Sequence, residues 1–391
     1  MRLNRGCKYS TMKRLGAFWS ALVVFLVYLV AALSYSIAYT DSHSPDISAL
    51  VHAGGDLCKE CGGIYVYPGS SGYDGQFYYL LSKEPYNFNV LVNVASLPQM
   101  AYRHQRILYP LIVNLLSLGR EWLIPYVMVA VNLAVVSALV LLSGKMIGSG
   151  HRPWLTSFYV IALPGIFLSV LLDLAEPLWA LLVLAAFYFL MLRRHHYASL
   201  LLSLSLFAKE TTLMIIPFVA GYFLLRRDFR AGLAYSLSLF PYMLWQMILY
   251  PSFRLVPLLL SLTKVRDYHR PLDLLGSFAA SPQLAALPAI LLQAVVVFTI
   301  LLAIDAFRKR RTAVTVALLG LSLSFLSILF MNTWAEIFSS SRAVLPVSLM
   351  LFIYFLESGD RRAHIVLLPQ ALLSAGMFGF YLLKAAVLLA S

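Results

Sequence analysis

Long apolar runs separated by short polar segments dominate this chain. Nine of the runs are helix candidates whose lengths approach the roughly 20 residues needed to cross the hydrocarbon core of a bilayer. Two shorter apolar halves flank a polar break at residues 208–212, and a charged break at membrane depth is tolerated only where it faces protein or water. The pattern therefore predicts about 11 transmembrane helices. The nine runs are 16–40, 122–143, 154–172, 177–192, 231–250, 286–306, 313–331, 343–357 and 364–390, and the two halves are 198–207 and 213–225.

The composition is typical of a membrane protein. Of 391 residues, 61% are hydrophobic and 12% are charged, whereas soluble domains carry about 25% charged residues. We therefore expect residues 1–391 to form one all-α, polytopic integral membrane domain, with the first helix at 16–40 and the others within 122–391. The net charge of +13 does not indicate a nucleic-acid partner, because the basic residues fall in short clusters between apolar runs, as in cytoplasmic loops.

The charge distribution also predicts the orientation. A basic N-terminus precedes the first apolar run, which is too long for a signal-peptide core and lacks a small-residue cleavage site. With the N-terminus in the cytoplasm, residues 41–121 form a long external loop and residues 251–288 another. The apolar segment 107–118 has only about 12 residues, so we expect a membrane-surface helix there. If it crossed the membrane, the basic pairs beginning at Arg193 and Arg226 would move outside.

Charged residues at the external face are the candidates for chemistry, because ionisable groups near a bilayer are costly and mark functional sites. Asp74 lies in the sequence Gly-Tyr-Asp-Gly-Gln-Phe-Tyr-Tyr of the first external loop. A positioned carboxylate suits a general base, and a partly dehydrated site would raise its basicity. A phosphate leaving group would need cations nearby. The cationic candidates are Arg103, Arg106, Lys209, Arg342, His269 and Arg270.

Each candidate also has a structural explanation, and the sequence leaves these alternatives open. Asp74 precedes a glycine and could belong to a turn. Asp173 and Glu176 could simply cap the helix that follows them. Lys209 and Glu210 could form an ion pair with each other in a bent helix. The arginines of the first loop could extend to lipid headgroups, and the tyrosines near loop ends could belong to the interfacial aromatic belt.

Three sequences carry a resemblance to a known family. The motif at 73–79, Tyr-Arg-His-Gln-Arg at 102–106 and Ala-Lys-Glu-Thr at 208–211 resemble prokaryotic polyprenyl-phosphate-sugar-dependent mannosyltransferases of the GT-C superfamily of membrane glycosyltransferases. The resemblance spans most of residues 16–230. It implies a GT-C-like fold in a prokaryotic plasma membrane. It also implies a cell-envelope enzyme that moves a sugar, such as mannose, from a polyprenyl phosphate to a lipid or glycan acceptor on the extracytoplasmic face.

The resemblance further implies roles for individual residues. The transfer would be inverting, with Asp74 mapping onto the first-loop carboxylate that deprotonates the acceptor hydroxyl. The cationic candidates would bind the donor phosphate. The residues expected beside the acceptor or the sugar are Tyr73, Gln76, Tyr102, Glu210, Asp173 and Glu176.

No cofactor is expected. Relatives of the oligosaccharyltransferase type bind a divalent metal through acids of the first two external loops, but the second loop here reads Asp-Leu-Ala-Glu, one residue longer than an Asp-x-Glu spacing. Asp74, Asp173 and Glu176 could still hold Mg²⁺ if they converged, so this alternative stays open. Cys58 and Cys61 are expected to form a disulfide in an oxidising external compartment, since a zinc site would need two more ligands.

Two other classes of protein remain as alternatives. A flippase or transporter of polyprenyl-linked sugars would also break a helix at a charged pair, as at 209–210, but the chain shows no internal repeat. A non-catalytic scaffold would tolerate changes to its external charges. The last apolar run reaches almost to the final residue, so we expect no soluble acceptor-binding module, which favours a lipid or glycan acceptor over a folded protein.

Overall fold

Helices make up nearly all of the described structure, which is a computed structural model. The described strands, β1 (Ala53–Gly54) and β2 (Val66–Tyr67), have two residues each, and the predicted all-α class is confirmed. Two predicted phosphate-binding residues, His269 and Arg270, lie outside the described residues. The structure describes residues 3–40, 44–56, 58, 61–91, 96–146, 153–259, 283–326 and 337–390.

Sixteen α-helices follow one another in these parts of the chain. The first eight are α1 (Leu3–Thr40), α2 (Asp74–Lys83), α3 (Leu97–His104), α4 (Leu108–Ser117), α5 (Ile124–Met146), α6 (Pro153–Ile161), α7 (Pro164–Leu171) and α8 (Glu176–Met191). The other eight are α9 (His195–Ala208), α10 (Ile216–Leu225), α11 (Phe229–Leu237), α12 (Phe240–Phe253), α13 (Gln283–Lys309), α14 (Ala313–Ser324), α15 (Ile337–Ser358) and α16 (Arg362–Ala390). Short 3-10 helices occupy Ile47–Val51, Glu121–Leu123 and Glu210–Met214.

Five of the described helices are long and apolar enough to cross a membrane, which agrees with the predicted class of membrane protein. Shorter apolar helices, such as α8 and α14, lie between them. The total of about 11 spans remains a prediction. The five long segments are Phe18–Thr40, Glu121–Met146, Leu287–Lys309, Ile337–Ser358 and Arg362–Ala390.

Prolines divide two of the predicted transmembrane helices. Run 154–172 forms α6 and α7, because Pro164 occupies the first turn of α7 and has no N–H to continue the preceding helix. Run 231–250 forms α11 and α12 in the same way, with Pro241 in the first turn of α12. The prediction of one continuous helix is wrong at both places. The predicted break at 208–212 is present, as α9 ends at Ala208 and a 3-10 helix follows.

Helix α15 contacts several other helices and is largely buried among them. It packs against α7, α8, α13 and α14, and residues 344–355 are all buried. Gly165 permits the close approach of α7, because a Cβ there would lie 2.6 Å from the carbonyl oxygen of Ser341. This contact holds in place the turn of α15 that carries Arg342.

The described residues of the segment predicted to be the first external loop are folded and packed. Strands β1 and β2 pair in parallel, with Ala53 opposite Val66. A disulfide joins Cys58 and Cys61, whose Cα atoms are 5.3 Å apart. Helix α4 lies within the predicted surface segment and packs against α2 and α5. Its 10 residues span about 15 Å, half of the hydrocarbon core, and its place at the membrane surface remains a prediction.

Gly75 lets α2 pack directly on two backbone carbonyl groups. A Cβ at this position would lie 2.4 Å from the carbonyl oxygen of Leu172 and 2.6 Å from that of Val51. No side chain can be placed there without moving backbone. The glycine that follows Asp74 therefore sets the distance between the first external loop and the connection from α7 to α8.

Replacing Gly75 with alanine should destabilise the protein by about 1–3 kcal/mol or more, because α2 must move away from both carbonyl groups. We expect a lower thermal unfolding temperature in detergent. Gly221→Ala is the matched control, since a Cβ at Gly221 meets no atom within 4 Å. Equal unfolding temperatures for the two variants would contradict the packing at Gly75.

Candidate functional site

Asp74 is the first residue of α2. The preceding residue, Tyr73, is extended, with a φ of −135°, and its backbone N–H donates to the carbonyl oxygen of His52 over 2.9 Å. A carboxylate in the first turn of a helix is stabilised by the free N–H groups and the helix dipole. Asp74 is therefore a helix residue, and the alternative of an Asp-Gly turn is wrong.

Two arginines from different helices hold the Asp74 carboxylate. Arg103 Nη2, on α3, lies 2.7 Å from Oδ1, and Arg342 Nη2, on α15, lies 2.9 Å from Oδ2. The guanidinium of Arg103 also lies over the ring of Phe77, 4.5 Å from its centroid. That of Arg342 lies over the ring of Tyr73 at 5.2 Å. These cation–π contacts orient both guanidinium groups around the carboxylate.

Glu176, the first residue of α8, joins Arg342 to Lys209. Its Oε1 accepts a hydrogen bond from Arg342 Nε over 2.7 Å and another from Lys209 Nζ over 3.1 Å. The Glu176 side chain is only 1% exposed, so it lies behind the two cations as seen from solvent. The described hydrogen bonds of Glu176 and Asp173 go to other side chains, and the alternative that they only cap α8 is therefore wrong.

Arg106 and Glu210 form a second buried ion pair. Arg106 Nε donates to Glu210 Oε2 over 2.7 Å, and Nη2 donates to Oε1 over 2.5 Å. This two-point contact is the strongest geometry available to an arginine and a carboxylate. The Tyr102 hydroxyl also accepts a hydrogen bond from Arg106. Arg103 and Arg106 thus point to carboxylates of the protein, and the alternative that they extend to lipid headgroups is wrong.

These contacts bring most of the predicted charged residues into one ion cluster, where segments far apart in sequence meet. Lys209 and Glu210 are adjacent, yet they pair with Glu176 and Arg106, so the alternative of an ion pair between them is wrong. With every member ionised, the ion cluster has one more positive than negative charge. Its members are Asp74, Glu176, Glu210, Arg103, Arg106, Lys209 and Arg342.

The cations of the cluster decide the protonation state of Asp74. Burial alone would raise the pKa of the carboxyl, but Arg103 and Arg342, with Arg106 behind them, outweigh burial and hold the pKa well below its usual range. Asp74 is therefore ionised at neutral pH. The expectation that a dehydrated site would raise its basicity is wrong for this arrangement, because the ion pairs dominate.

Asp173 lies in a separate, neutral network. Asn132 Nδ2 donates to Asp173 Oδ1 over 3.4 Å and to the hydroxyl of Tyr109 over 3.0 Å. Asp173 is fully buried, and burial raises the pKa of its carboxyl well above the usual range. Among the residues that the structure describes, no cation pairs with Asp173. The structure therefore does not bring it together with the ion cluster.

Gln76 and Tyr102 contact other residues of the protein, and their contact with the acceptor or the sugar stays a prediction. Gln76 Oε1 accepts from the N–H of Gly54 over 3.1 Å, and Nε2 donates to the carbonyl oxygen of Ser71 over 2.9 Å. The Tyr102 ring lies against the guanidinium of Arg106, 4.5 Å from its centroid. Both side chains position the residues around Asp74.

A set of aromatic rings in contact with one another begins at Tyr73, the residue next to Asp74. The Tyr73 ring meets His52 edge-on with centroids 6.5 Å apart, and His52 stacks on Tyr67 at 4.4 Å. Burial lowers the pKa of His52 to about 4, so the imidazole is neutral at pH 7. His52 and Tyr67 were not predicted, because isolated loop residues show no spacing that signals a site.

Several buried polar atoms around the ion cluster have no hydrogen-bond partner within the described part of the chain. Buried groups of this kind are uncommon in proteins. Across the same residues, no group of three or more His, Cys, Asp or Glu side chains is placed to hold a metal ion. The unpartnered atoms include Arg103 Nε, Glu176 Oε2, Tyr78 Oη and Ser341 Oγ.

Replacing Arg106 with methionine should lower the stability of the protein by about 3–5 kcal/mol, because Glu210 would keep a buried charge without its partner. Arg106→Met combined with Glu210→Leu should recover most of the lost stability, since neither charge remains. Thermal unfolding in detergent measures both proteins. A double variant as unstable as the single one would show that the buried charge of Glu210 is not the cause.

Comparisons of the chain with family models, with curated proteins and with solved structures found no match.

Proposed function

We propose that this chain is an inverting glycosyltransferase of the GT-C type, acting on the extracytoplasmic face of a prokaryotic plasma membrane with about 11 transmembrane helices. It would move a sugar from a polyprenyl phosphate to a lipid or glycan acceptor. The observation that supports this most is the position of Asp74, an ionised and partly exposed carboxylate with cations on both sides. A base next to cations is what the transfer of a sugar from a phosphate requires.

The base function depends on free lone pairs at Asp74. A carboxylate has about four acceptor positions, and the two arginines occupy one on each oxygen. An acceptor hydroxyl can therefore still donate to Asp74. As the hydroxyl oxygen bonds to the anomeric carbon, its proton passes to Asp74 and the bond from that carbon to the phosphate oxygen breaks.

The leaving phosphate needs cations where its negative charge develops. Arg342 and Lys209 are held side by side by Glu176 Oε1, with donor distances of 2.7 and 3.1 Å. An arginine can bind two phosphate oxygens at once, whereas a lysine acts as a point charge. Arg342 and Lys209 would together stabilise the phosphate as the bond to the sugar breaks.

The aromatic residues next to Asp74 suit a sugar or glycan. Tyr73, His52 and Tyr67 form a continuous set of ring contacts that begins beside the base. Such side chains combine a flat apolar face with polar atoms at the ring edge, as a sugar ring does. This pattern supports a carbohydrate on the acceptor side of Asp74, and mannose is the donor sugar that we would test first.

Sugar transfer by the purified protein tests the proposal directly. The protein would be reconstituted in nanodiscs with radiolabelled polyprenyl phosphates carrying mannose, glucose, galactose or arabinose, together with lipid extract from a bacterial envelope. We expect a labelled lipid or glycan product from one of these donors. If instead labelled donor crosses the bilayer of reconstituted vesicles unchanged and no product forms, the chain is a flippase and the proposal is rejected.

A further inference from the structure

The proposed base is covered by its own arginines. Both oxygens of Asp74 are engaged, Oδ1 by Arg103 and Oδ2 by Arg342. Each ion pair makes the carboxylate a weaker base, because a proton would have to displace a positive charge. An event that draws these cations away would therefore make Asp74 a stronger base for the transfer reaction.

We infer that a phosphate ester and the Asp74 carboxylate compete for Arg103 and Arg342, so that donor binding itself uncovers the base. The inference rests on the proposed function and deepens it. It assigns the outer part of the ion cluster as a phosphate subsite that Asp74 fills until the donor enters.

Exposure within the ion cluster shows which members an anion meets first. The side chains of Asp74, Arg103 and Arg342 are 16%, 12% and 12% exposed. Those of Glu176 and Arg106 are 1% and 4% exposed. Glu210 and Lys209 are 11% and 9% exposed, but each pairs with one of these two buried side chains. The Asp74 ion pairs are therefore the ones in the cluster in which both partners are partly exposed to an approaching anion.

The outer cations also keep donors that a phosphate could use. Arg103 Nε is buried and has no partner within the described ranges of the chain. Arg342 contacts Glu176 with two nitrogens, Nε at 2.7 Å and Nη2 at 2.6 Å, and only Nη2 also reaches Asp74. Arg342 can thus leave Asp74 while Glu176 still holds it. A guanidinium has five N–H donors, enough to bind a carboxylate and a phosphate together.

Arg106 is a poor candidate for the same exchange. Its guanidinium already makes a two-point contact with Glu210 and donates to the Tyr102 hydroxyl. A phosphate would have to break all of these contacts in a buried position, which is costly. We therefore assign the phosphate subsite to Arg103 and Arg342, with Lys209 beside them, and assign Arg106 a structural role.

The competition predicts that removing the negative charge of Asp74 strengthens phosphate binding, whereas removing a site residue usually weakens ligand binding. Asp74→Asn should bind farnesyl phosphate about three- to tenfold more tightly than the wild type, because the competing carboxylate is gone. Arg342→Gln should bind farnesyl phosphate more weakly.

Two controls isolate the role of the phosphate and of Asp74. Farnesol, which has the same tail and no phosphate, should bind the wild type and Asp74→Asn equally. Asp173→Asn is the matched control, since Asp173 contacts no described cation, and it should match the wild type.

Binding would be measured with radiolabelled farnesyl phosphate on the detergent-solubilised full-length protein. Equal or weaker binding by Asp74→Asn would overturn the inference.

An independent measurement needs no variant. Infrared difference spectra of wild-type protein made with isotope-labelled aspartate should show a shifted carboxylate band when farnesyl phosphate is added, and none with farnesol. An unchanged band would also overturn the inference.

The binding data stand apart from the test of the proposed function. Tighter binding by Asp74→Asn in a protein that transfers no sugar would reject the enzyme and keep the phosphate subsite. Sugar transfer by a protein whose Asp74→Asn variant binds no more tightly would keep the enzyme and reject the competition.

Discussion

Asp74→Asn should fold like the wild type but transfer sugar more slowly by a factor on the order of 10² or more. Asparagine has nearly the same shape as aspartate and can still accept a hydrogen bond from Arg103 or Arg342. It cannot take the proton of the acceptor hydroxyl. The loss should therefore appear in the rate of transfer at saturating donor. The thermal unfolding temperature should also fall, because Arg103 and Arg342 lose the charge that they share.

The control for this prediction is Asp173→Asn. Burial raises the pKa of Asp173 well above its usual range, and the amide keeps the oxygen that accepts from Asn132, so transfer should continue at close to the wild-type rate. Single-turnover measurements with labelled donor would compare the three proteins. An Asp74→Asn protein that turns over at half the wild-type rate would remove Asp74 from its role as base.

Arg342→Gln should lower kcat/KM for transfer by about 10²–10³-fold, the cost of losing one group that stabilises transition-state charge. Arg342 is the residue that links the base to the rest of the ion cluster, because it contacts both Asp74 and Glu176. Its loss also leaves two carboxylates with fewer partners, so the unfolding temperature should fall. Arg342→Lys keeps the charge but cannot span both carboxylates, and should recover only part of the activity.

Arg362→Gln is the matched control for the loss of a bridging arginine. Arg362 also contacts two carboxylates, Asp305 and Asp360, but its side chain is 46% exposed. Exposed ion pairs contribute little, typically about 0–1 kcal/mol. Transfer and unfolding temperature should both remain near the wild-type values. Comparable losses in the two arginine variants would indicate that Arg342 has no specific role in catalysis.

The apolar pattern predicted the helical class and the break after α9 correctly, but not the division of other helices. Hydrophobic runs report which residues avoid water, and they do so equally for one long helix and for two shorter ones. At Pro164 and Pro241 the missing N–H ends one helix and the fixed φ begins the next. The proline is visible in the sequence, but a proline within an apolar run can also lie inside one continuous helix, as Pro346 does in α15.

Residue type predicted which charged residues come together but not which of them pair with each other. Asp74, Arg103 and Arg342 were selected because charges at a membrane face are costly, and the structure brings them into contact. Pairing could not be predicted in the same way. Lys209 and Glu210 are sequence neighbours, yet their side chains go to separate partners, because the backbone of Lys209 is extended between α9 and the 3-10 helix that begins at Glu210. The contacts of Gln76 could not be predicted either, since its partners are the backbone groups of Gly54 and Ser71, and residue type does not show where backbone groups lie.

The distance in sequence between the partners of the ion cluster has a consequence for biosynthesis. Arg342 lies 268 residues after Asp74 and 166 residues after Glu176. Chains are made from the N-terminus at about 5–20 residues per second, so both carboxylates emerge from the ribosome well before the arginine that joins them. During that interval Asp74 has Arg103 as its partner and Glu176 has Lys209, but nothing joins the two ion pairs to each other. Assembly of the site is thus one of the last events in making this protein, and a chain cut short before α15 would leave Asp74 and Glu176 without it.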